Sequence, residues 1–444
     1  MTVLCRRWRR SPRRHSATGQ FTSRAIAITV QRYSFFSLAR NALSYHEHWQ
    51  RAWRSVPLQA SYDIVIVGAG GHGLSTAYHL AKEHGVTSVA VIEKGWLGGG
   101  NTARNTHTIR ANHLRDASIK FHDKSVKLYQ AMTQELNYNI LFSQRSMVDL
   151  VQSSSKLRDL RRRSMAMDLH GPTYNIVDMQ EVHRLVPAMG DLKNARLPPL
   201  AGVVHPQAAM ARHDAIAWSY ARSADARGVE IHQQTELTGF LRNAAGRVTG
   251  VRTNRGDIRA GKVALATSGN TSHVAAMAGL RLPLVTRNLQ AFVSMPVKPV
   301  VDVIVNCPDT GVYLMQSDKG ELVIGGTPDP IPSYRQGGNF QVFEEVVAAM
   351  LELFPRFKGL KMLRQWGGAI EFAHDASPII SATPVGGLYV STGWWGGFKA
   401  IPVGGLTYAH LLATDKPHPL ADQFGLERFD GLKFMIEVGL VSQR

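Results

Sequence analysis

Tyr62-Asp-Ile-Val-Ile-Val-Gly-Ala-Gly-Gly-His-Gly73 is the stretch that decides the fold of this 444-residue chain. The β-branched run at 64–67 has the composition of a strand buried on both faces of a parallel sheet. Gly68, Gly70 and Gly73 then place G-x-G-x-x-G at the turn from strand to helix, with Gly71 and His72 inside it. The first glycine permits the tight turn, the second lets a pyrophosphate approach the backbone, and the third lets helix and strand pack closely. A helix predicted over 74–84 aims its free N–H groups at the phosphates. A second strand, 89–92, ends in Glu93, 20 residues after Gly73, where an acid accepts hydrogen bonds from ribose hydroxyls. A glycine triplet alone marks many ordinary turns. Strand, triplet, helix, strand and acid in register predict a dinucleotide-binding unit.

Working outward, the length calls for two interleaved lobes, and 44% hydrophobic residues with 40 glycines suit a globular α/β chain rich in tight turns. Two cysteines, Cys5 and Cys307, supply neither a disulfide framework nor a cysteine metal site, and no metal centre is expected. No apolar stretch approaches the roughly 18 residues of a membrane span, so a soluble, cytoplasmic protein is expected. The formal charge of +18 includes seven arginines in residues 1–29, a segment without a single acid. The remaining excess is spread out, with short clusters such as Arg161–Arg163. No basic stripe interleaved with aromatics is present, so nucleic acid is not an expected partner. An electropositive surface drawing in dinucleotide phosphates and carboxylate substrates explains the charge.

The leader 1–29 has the composition of an organelle transit peptide, or else translation starts nearer Val30; it is set outside the fold. Residues 30–61 form an amphipathic arm carrying Tyr33, Phe35, Phe36, Leu38, Tyr45, Trp49 and Trp53, a density that suits packing on a partner subunit. Past Glu93, Gly98, Gly99, Gly100 and Asn101 form a flexible turn near a ring system or pyrophosphate, or an ordinary surface turn. Residues 118–165 read as helical, 213–228 as a helix, 229–232 as a strand, and 236–253 as a meander. The strand 262–266 ends in Thr267-Ser268-Gly269, backbone suited to the adenosine half of a dinucleotide. Alternating strands in 283–372 suggest an antiparallel substrate lobe. A strand at 388–391 then leads into a second glycine-rich turn, Gly393-Trp-Trp-Gly-Gly-Phe-Lys399, so that the chain wraps both ends of an extended cofactor. That favours a flavin over a freely exchanging nicotinamide. The expected fold is α/β with two lobes: a Rossmann-type FAD-binding domain with an interleaved antiparallel-sheet substrate domain. Within residues 62–429, the FAD lobe takes about 62–115, 210–270 and 365–415, and the substrate lobe about 116–209 and 271–364. Residues 430–444 are a C-terminal tail.

These segments also carry a resemblance. QRYSFFSLARNALSYHEHWQRAWRS (31–55), the long run 62–106, FSQR (142–145), ARHDAIAW (211–218), VTGVRTNRGDIRAGKVALA (248–266), ELFPRF (352–357), HDASPIIS (374–381) and GGFK (396–399) follow one another in one order. Over residues 31–429 the chain resembles the β subunits of heterotetrameric sarcosine oxidases, in the wider D-amino-acid oxidase/glycine oxidase-like flavoprotein superfamily. Chains of that family begin near the position of Val30, which favours a misassigned start over a targeting peptide. The resemblance implies non-covalent FAD in the nucleotide fold and FMN between α and β subunits. It implies attachment of FMN to His213 within Ala211–Trp218; the residues alone would leave His213 as the first residue of a helix. Carried over by motif, FAD contacts fall on Gly71, His72, Glu93, Asn101, Arg104, Thr106, Thr108, Gly396 and Lys399, with Leu237 where the family has valine. The implied partners are an α subunit and smaller subunits, with tetrahydrofolate and NAD reaching the assembly only through the partner.

The implied reaction oxidises a secondary amino acid, sarcosine, passing electrons from FAD to FMN to oxygen. The cofactor carries the difficult step and the protein orients. Arg110 and Lys399 are the matching cations for the substrate carboxylate and the flavin region, unless either is a solvated surface charge; arginine grips a carboxylate bidentately, lysine as a point charge. Departures from the family bear on the FMN environment and on the identity of the amine. GWWGGFK is one residue short, Asp309-Thr-Gly311 replaces H-x-H, Ser268-Gly269-Asn270 replaces A-G-H, and His107 stands where threonine is usual. The same motifs fit a dehydrogenase subunit for another N-methyl amino acid, such as N-methylglutamate, or a non-catalytic flavin-binding scaffold.

Overall fold

The computed structural model describes residues 34–45, 47 and 53–437. The leader, Tyr33 and Trp49 lie outside the described residues. Two units are distinguished, one up to Arg51 and one from Ala52 onward. In the first, the helix Phe35–Leu43 is capped by Ser34, whose hydroxyl accepts from Ser37 N at 3.0 Å. Its Phe35, Phe36, Leu38 and Leu43 are exposed.

The second unit is built on two sheets. In the first, the strands Ser61–Val67, Val89–Ile92 and Glu230–His232 run parallel side by side, and Ser61–Val67 also pairs in parallel with Gly256–Leu265. The far end of Gly256–Leu265 pairs in parallel with Leu388–Thr392, and its near end continues the antiparallel meander Leu237–Arg242 and Val248–Thr253. Val65 and Ile66 have no exposed surface, as the β-branched run requires. The helix Gly71–His84 covers one face and ends at Gly85, whose φ of 66° gives a left-handed cap. The helix Ile401–Thr414 packs beside it.

The second sheet has the order Met362–Ala373, Leu284–Ser294, Leu322–Pro332, Val312–Gln316, Ile304–Cys307, Met147–Val151, Ala201–His205, Asn175–Val177. Every pairing in it is antiparallel except Ile304–Cys307 with Met147–Val151. It buries a cluster of its own around Val148, Leu150, Phe292, Val305, Leu314 and Phe354.

Two expectations change. Residues 118–165 are not one helical stretch. The helices Asp116–Glu135 and Ser154–Asp168 are separated by the strands Ser143–Gln144 and Met147–Val151. All five residues of Met147–Val151 are buried, so this segment reads as a two-sided core strand and has no helical stripe. The strand Met362–Ala373 belongs wholly to the second sheet, which therefore runs to 373 and not to 364. No helix of the described residues is long and apolar enough to cross a membrane.

Gly73 fixes the contact between strand and helix. A Cβ there would lie 2.0 Å from Gly68 O, inside the turn. Gly73→Ala is therefore expected to cost about 1–3 kcal/mol or more of stability by overpacking, before any cofactor is considered. Urea unfolding of the apoprotein checks this, and an unchanged midpoint would contradict it.

Candidate flavin site

A cavity of about 620 Å³ lies where the two sheets meet. Its floor is made by the C-terminal ends of the parallel strands: Val67 and Gly68, Ile92 and Glu93, Ala266 to Gly269, and Ser391 with the turn after it. Open α/β sheets bind ligands at this edge.

At the glycine turn, Gly68 has φ +110°, and a Cβ on it would approach Ala266 O to 2.5 Å. On Gly70 an added Cβ would meet only Thr102 Oγ1, at 3.2 Å. Gly70 therefore leaves open the space a pyrophosphate needs at the head of the helix. Gly71 N donates to Thr102 Oγ1 at 2.9 Å. Glu93 is held from both sides: Oε2 accepts from Ala69 N at 3.0 Å and Oε1 from Gly95 N at 2.9 Å. Each carboxylate oxygen keeps a further lone pair for ribose hydroxyls. Gly73 lies behind the cavity wall, while Gly68, Gly70, Gly71, His72, Glu93, Asn101, Arg104, Thr106, Thr108, Leu237 and Gly396 line it. Asn101 and Arg104 also brace the wall. Asn101 Nδ2 donates to Ser268 Oγ at 2.9 Å and to Ala369 O; Arg104 Nη1 donates to Gly100 O at 2.7 Å and to Gly99 O.

His72 stacks on Trp394 with ring centroids 4.2 Å apart. Its Nε2 lies 3.0 Å from Gly397 O, and burial pushes its pKa down to about 4, so the ring is neutral near pH 7 and Nε2 donates. Nδ1 is then a buried acceptor without a partner among the described residues, and it faces Gly404 of the helix Ile401–Thr414, where an added Cβ would approach it to 2.8 Å. An open cradle and a braced acid fit a bound dinucleotide.

The cations gather at another part of the cavity. Arg110 Nη1 donates to Asn112 Oδ1 at 2.5 Å; among the described residues this is its one hydrogen bond. Lys399 is buried, and its Nζ donates to Trp395 O at 2.8 Å and Gly396 O at 3.1 Å. Burial, reinforced by the Arg110 charge, holds the Lys399 ammonium well below its ordinary pKa. Around Arg110 stand residues the sequence did not single out. Asp149 accepts from Asn112 Nδ2 at 3.2 Å and from Tyr174 OH and Asn306 Nδ2. Arg163, of the short basic cluster Arg161–Arg163, has no exposed surface and lines the cavity. No spacing rule marks these positions, because they are brought together across the second sheet.

His213 does not line the cavity. It begins the helix His213–Asp225, and its Nδ1 lies 2.6 Å from Nε2 of His107, with the rings stacked at 4.7 Å. His107 does line the cavity, so the pair joins the cavity wall to His213. Burial lowers both histidines, His107 to about 3. Asp214 pairs with Arg212 at 2.6 Å and accepts from Ala215 N, so its carboxylate serves the helix start. Asp309, in the altered segment, accepts from Gln152 N and Ser153 Oγ and acts as a brace.

Against known proteins, the family model for FAD dependent oxidoreductases (DAO) matches residues 63–411. The sarcosine oxidase subunit beta of Rhodobacter capsulatus is 47% identical over 409 residues, covering 92% of this chain and 98% of that protein. The chain belongs to the DAO family of FAD-dependent oxidoreductases, among the sarcosine oxidase β subunits. The corresponding subunit of an Arthrobacter species is 46% identical over 385 residues, covering 86% of this chain and 95% of its own. Among solved structures, the L-proline dehydrogenase of P. horikoshii superposes with a TM-score of 0.78 at 26% identity, covering 84% of this chain and 99% of that one. The expected two-lobe FAD fold is therefore correct, and FAD is the family's cofactor.

Glu371 sits where the ends of both sheets meet. Its Oε1 accepts from Thr392 Oγ1 at 2.5 Å and Thr271 Oγ1 at 3.2 Å, and burial raises its pKa from 4.5 to about 8. An acid raised in the folded state contributes stability that is complete below 4.5 and is lost as pH rises through 8. Thermal stability should therefore decline across that interval. Glu371→Gln, which keeps an acceptor for both threonines, should flatten the decline; melting curves with the same pH slope for both proteins would contradict it. Gly70→Ala gives a separate check: FAD retention should fall sharply while the apoprotein loses less stability than Gly73→Ala.

Proposed function

We propose that this chain is the FAD-bearing β subunit of a multi-subunit, cytoplasmic secondary amine oxidase that oxidatively demethylates sarcosine. Electrons would leave FAD for FMN held at His213 against an α subunit, and then reach oxygen; tetrahydrofolate and NAD would be handled by the partner. One observation carries the substrate reading. Arg110 faces the cavity with a single hydrogen bond to the described residues, leaving the rest of its five-donor fork for a carboxylate. The name shared by these relatives, sarcosine oxidase subunit beta, supports the reaction and the subunit role.

FAD, when bound, accepts a hydride equivalent from the carbon next to the amine nitrogen. The chain's own residues do the rest. Gly68, Gly70 and Gly71 receive the pyrophosphate and Glu93 the ribose, with His72, Asn101, Arg104, Thr106, Thr108, Leu237 and Gly396 forming the wall. Arg110 orients the substrate by its carboxylate. The amine must arrive unprotonated, and two cations near it, Arg110 and Lys399, disfavour a third positive charge. Lys399, itself pushed toward the neutral form, can change its protonation as substrate charge arrives or leaves.

The second reading, a dehydrogenase subunit for another N-methyl amino acid such as N-methylglutamate, draws on one feature. His107 fills space beside His213 that the family's usual threonine would leave for a flavin attached there, which favours a different electron acceptor. Oxygen uptake with hydrogen peroxide release, against reduction of a dye alone, separates the two.

Arg110→Ala should raise KM strongly and leave the spectrum of bound FAD nearly intact. Loss of a charge-assisted grip of this kind costs about 2–4 kcal/mol, on the order of 30- to 1000-fold in kcat/KM. Unchanged efficiency would move the carboxylate site elsewhere. For His213, acid denaturation of the native complex should release FAD and leave a second flavin on a His213 peptide; release of all flavin would contradict the covalent link.

A further inference from the structure

The last described residues pack behind the cavity wall, against Arg163 and the backbone at 114–115. Arg428 is buried and grips Asp375 with two hydrogen bonds, at 2.8 and 3.0 Å. Asp375 Oδ2 also accepts from Met435 N at 2.9 Å, and Ser377 Oγ donates to Met435 O at 2.6 Å. The segment is thus fixed two residues before Glu437. Glu437 is 3% exposed. Its Oε2 accepts from Leu114 N at 2.9 Å and its Oε1 from Arg115 N at 3.1 Å.

Glu437 Oε2 also lies 3.6 Å from Arg163 Nη1, and that same Nη1 donates to Asn112 O at 3.2 Å. Asn112 in turn holds Arg110 through Oδ1 and reaches Asp149 through Nδ2. A continuous chain of contacts therefore runs from the C-terminal segment to the guanidinium facing the cavity. His113, 3.7 Å from Glu437, is stacked on His122 at 3.7 Å and adds no charge, because burial beside Lys399, Arg110 and Arg163 keeps it neutral. Arg163 and Arg110 both line the cavity, so two like charges need holding apart.

We propose that Glu437 and Arg163 are positioning residues for Arg110: the C-terminal segment completes the carboxylate end of the cavity by fixing the backbone at 112–115. The proposal rests on Arg110 being the carboxylate grip. It requires Glu437 to act through geometry. If it acted only as a counter-charge, removing it would make the cavity more positive and tighten carboxylate binding. The two roles therefore predict opposite signs.

The test uses the native complex with FAD bound, sarcosine as substrate, and methoxyacetate, an ether analogue that cannot be oxidised as an amine, as a carboxylate probe followed by the flavin spectrum. Glu437→Gln should raise both the KM for sarcosine and the dissociation constant of methoxyacetate on the order of 10- to 100-fold, with a smaller change in kcat and full FAD content. Added to Arg110→Ala it should produce little further loss, since both changes remove the same grip. Glu437→Asp should recover part of the affinity. Arg163→Lys, which keeps the charge and loses the fork, should weaken methoxyacetate in the same way and serves if Glu437→Gln does not fold. Tighter binding, unchanged affinity, or full additivity in the double variant would overturn the proposal. Unchanged methoxyacetate affinity in Arg110→Ala alone would instead refute the Arg110 reading.

Discussion

Everything at the site depends on how closely the helix Gly71–His84 can approach the strand Ser61–Val67. That approach is set by the absence of a side chain at Gly73, where any Cβ would collide with Gly68 O. With the contact made, the helix head and the end of the strand share one edge of the sheet. The neighbouring parallel strands then deliver Glu93, Ala266 to Gly269 and Ser391 to the same edge. Residues more than 300 positions apart become one wall because the strands are parallel and end together. The second sheet closes over that edge and supplies two of the polar groups near Arg110, Asp149 and Asn306.

Electrostatics constrain the other end. Arg163 and Lys399 are buried, Arg110 is half-buried beside them on the cavity wall, and a buried cation is tolerated only with compensation. Asp149 and Glu437 provide it, each through hydrogen bonds that also fix position. Lys399 yields by losing proton affinity. Such a site suits a substrate that brings its own carboxylate and presents a neutral amine.

The strand–turn–helix–strand unit was legible because each residue there answers a local demand: β-branched core residues, glycines at forbidden contacts, an acid at the strand end. The antiparallel character of the second lobe was legible in the alternation of its strands. Met147–Val151 is not legible, since five buried residues in a row carry no period that distinguishes a strand from a buried helix. The network of Asn112, Asp149, Arg163 and Glu437 lay beyond sequence reasoning for a different reason. Its members come from a loop, a core strand, a helix and the C-terminal segment, and nothing in their spacing records that the fold brings them together. Arg163 shows this well: within an Arg-Arg-Arg run one side chain is solvated while another is fully buried. His107 and His213 were each noted in the sequence, but their contact is a property of the fold alone.

The central claim is that an amine substrate reduces FAD held in this cavity. Anaerobic mixing of the purified native complex with sarcosine, followed by flavin absorbance, tests it most directly. The account predicts prompt bleaching of the bound FAD by sarcosine or a closely related N-methyl amino acid, saturating with concentration. FAD that stays fully oxidised with every secondary amino acid offered, in a complex that retains its cofactor, would contradict it.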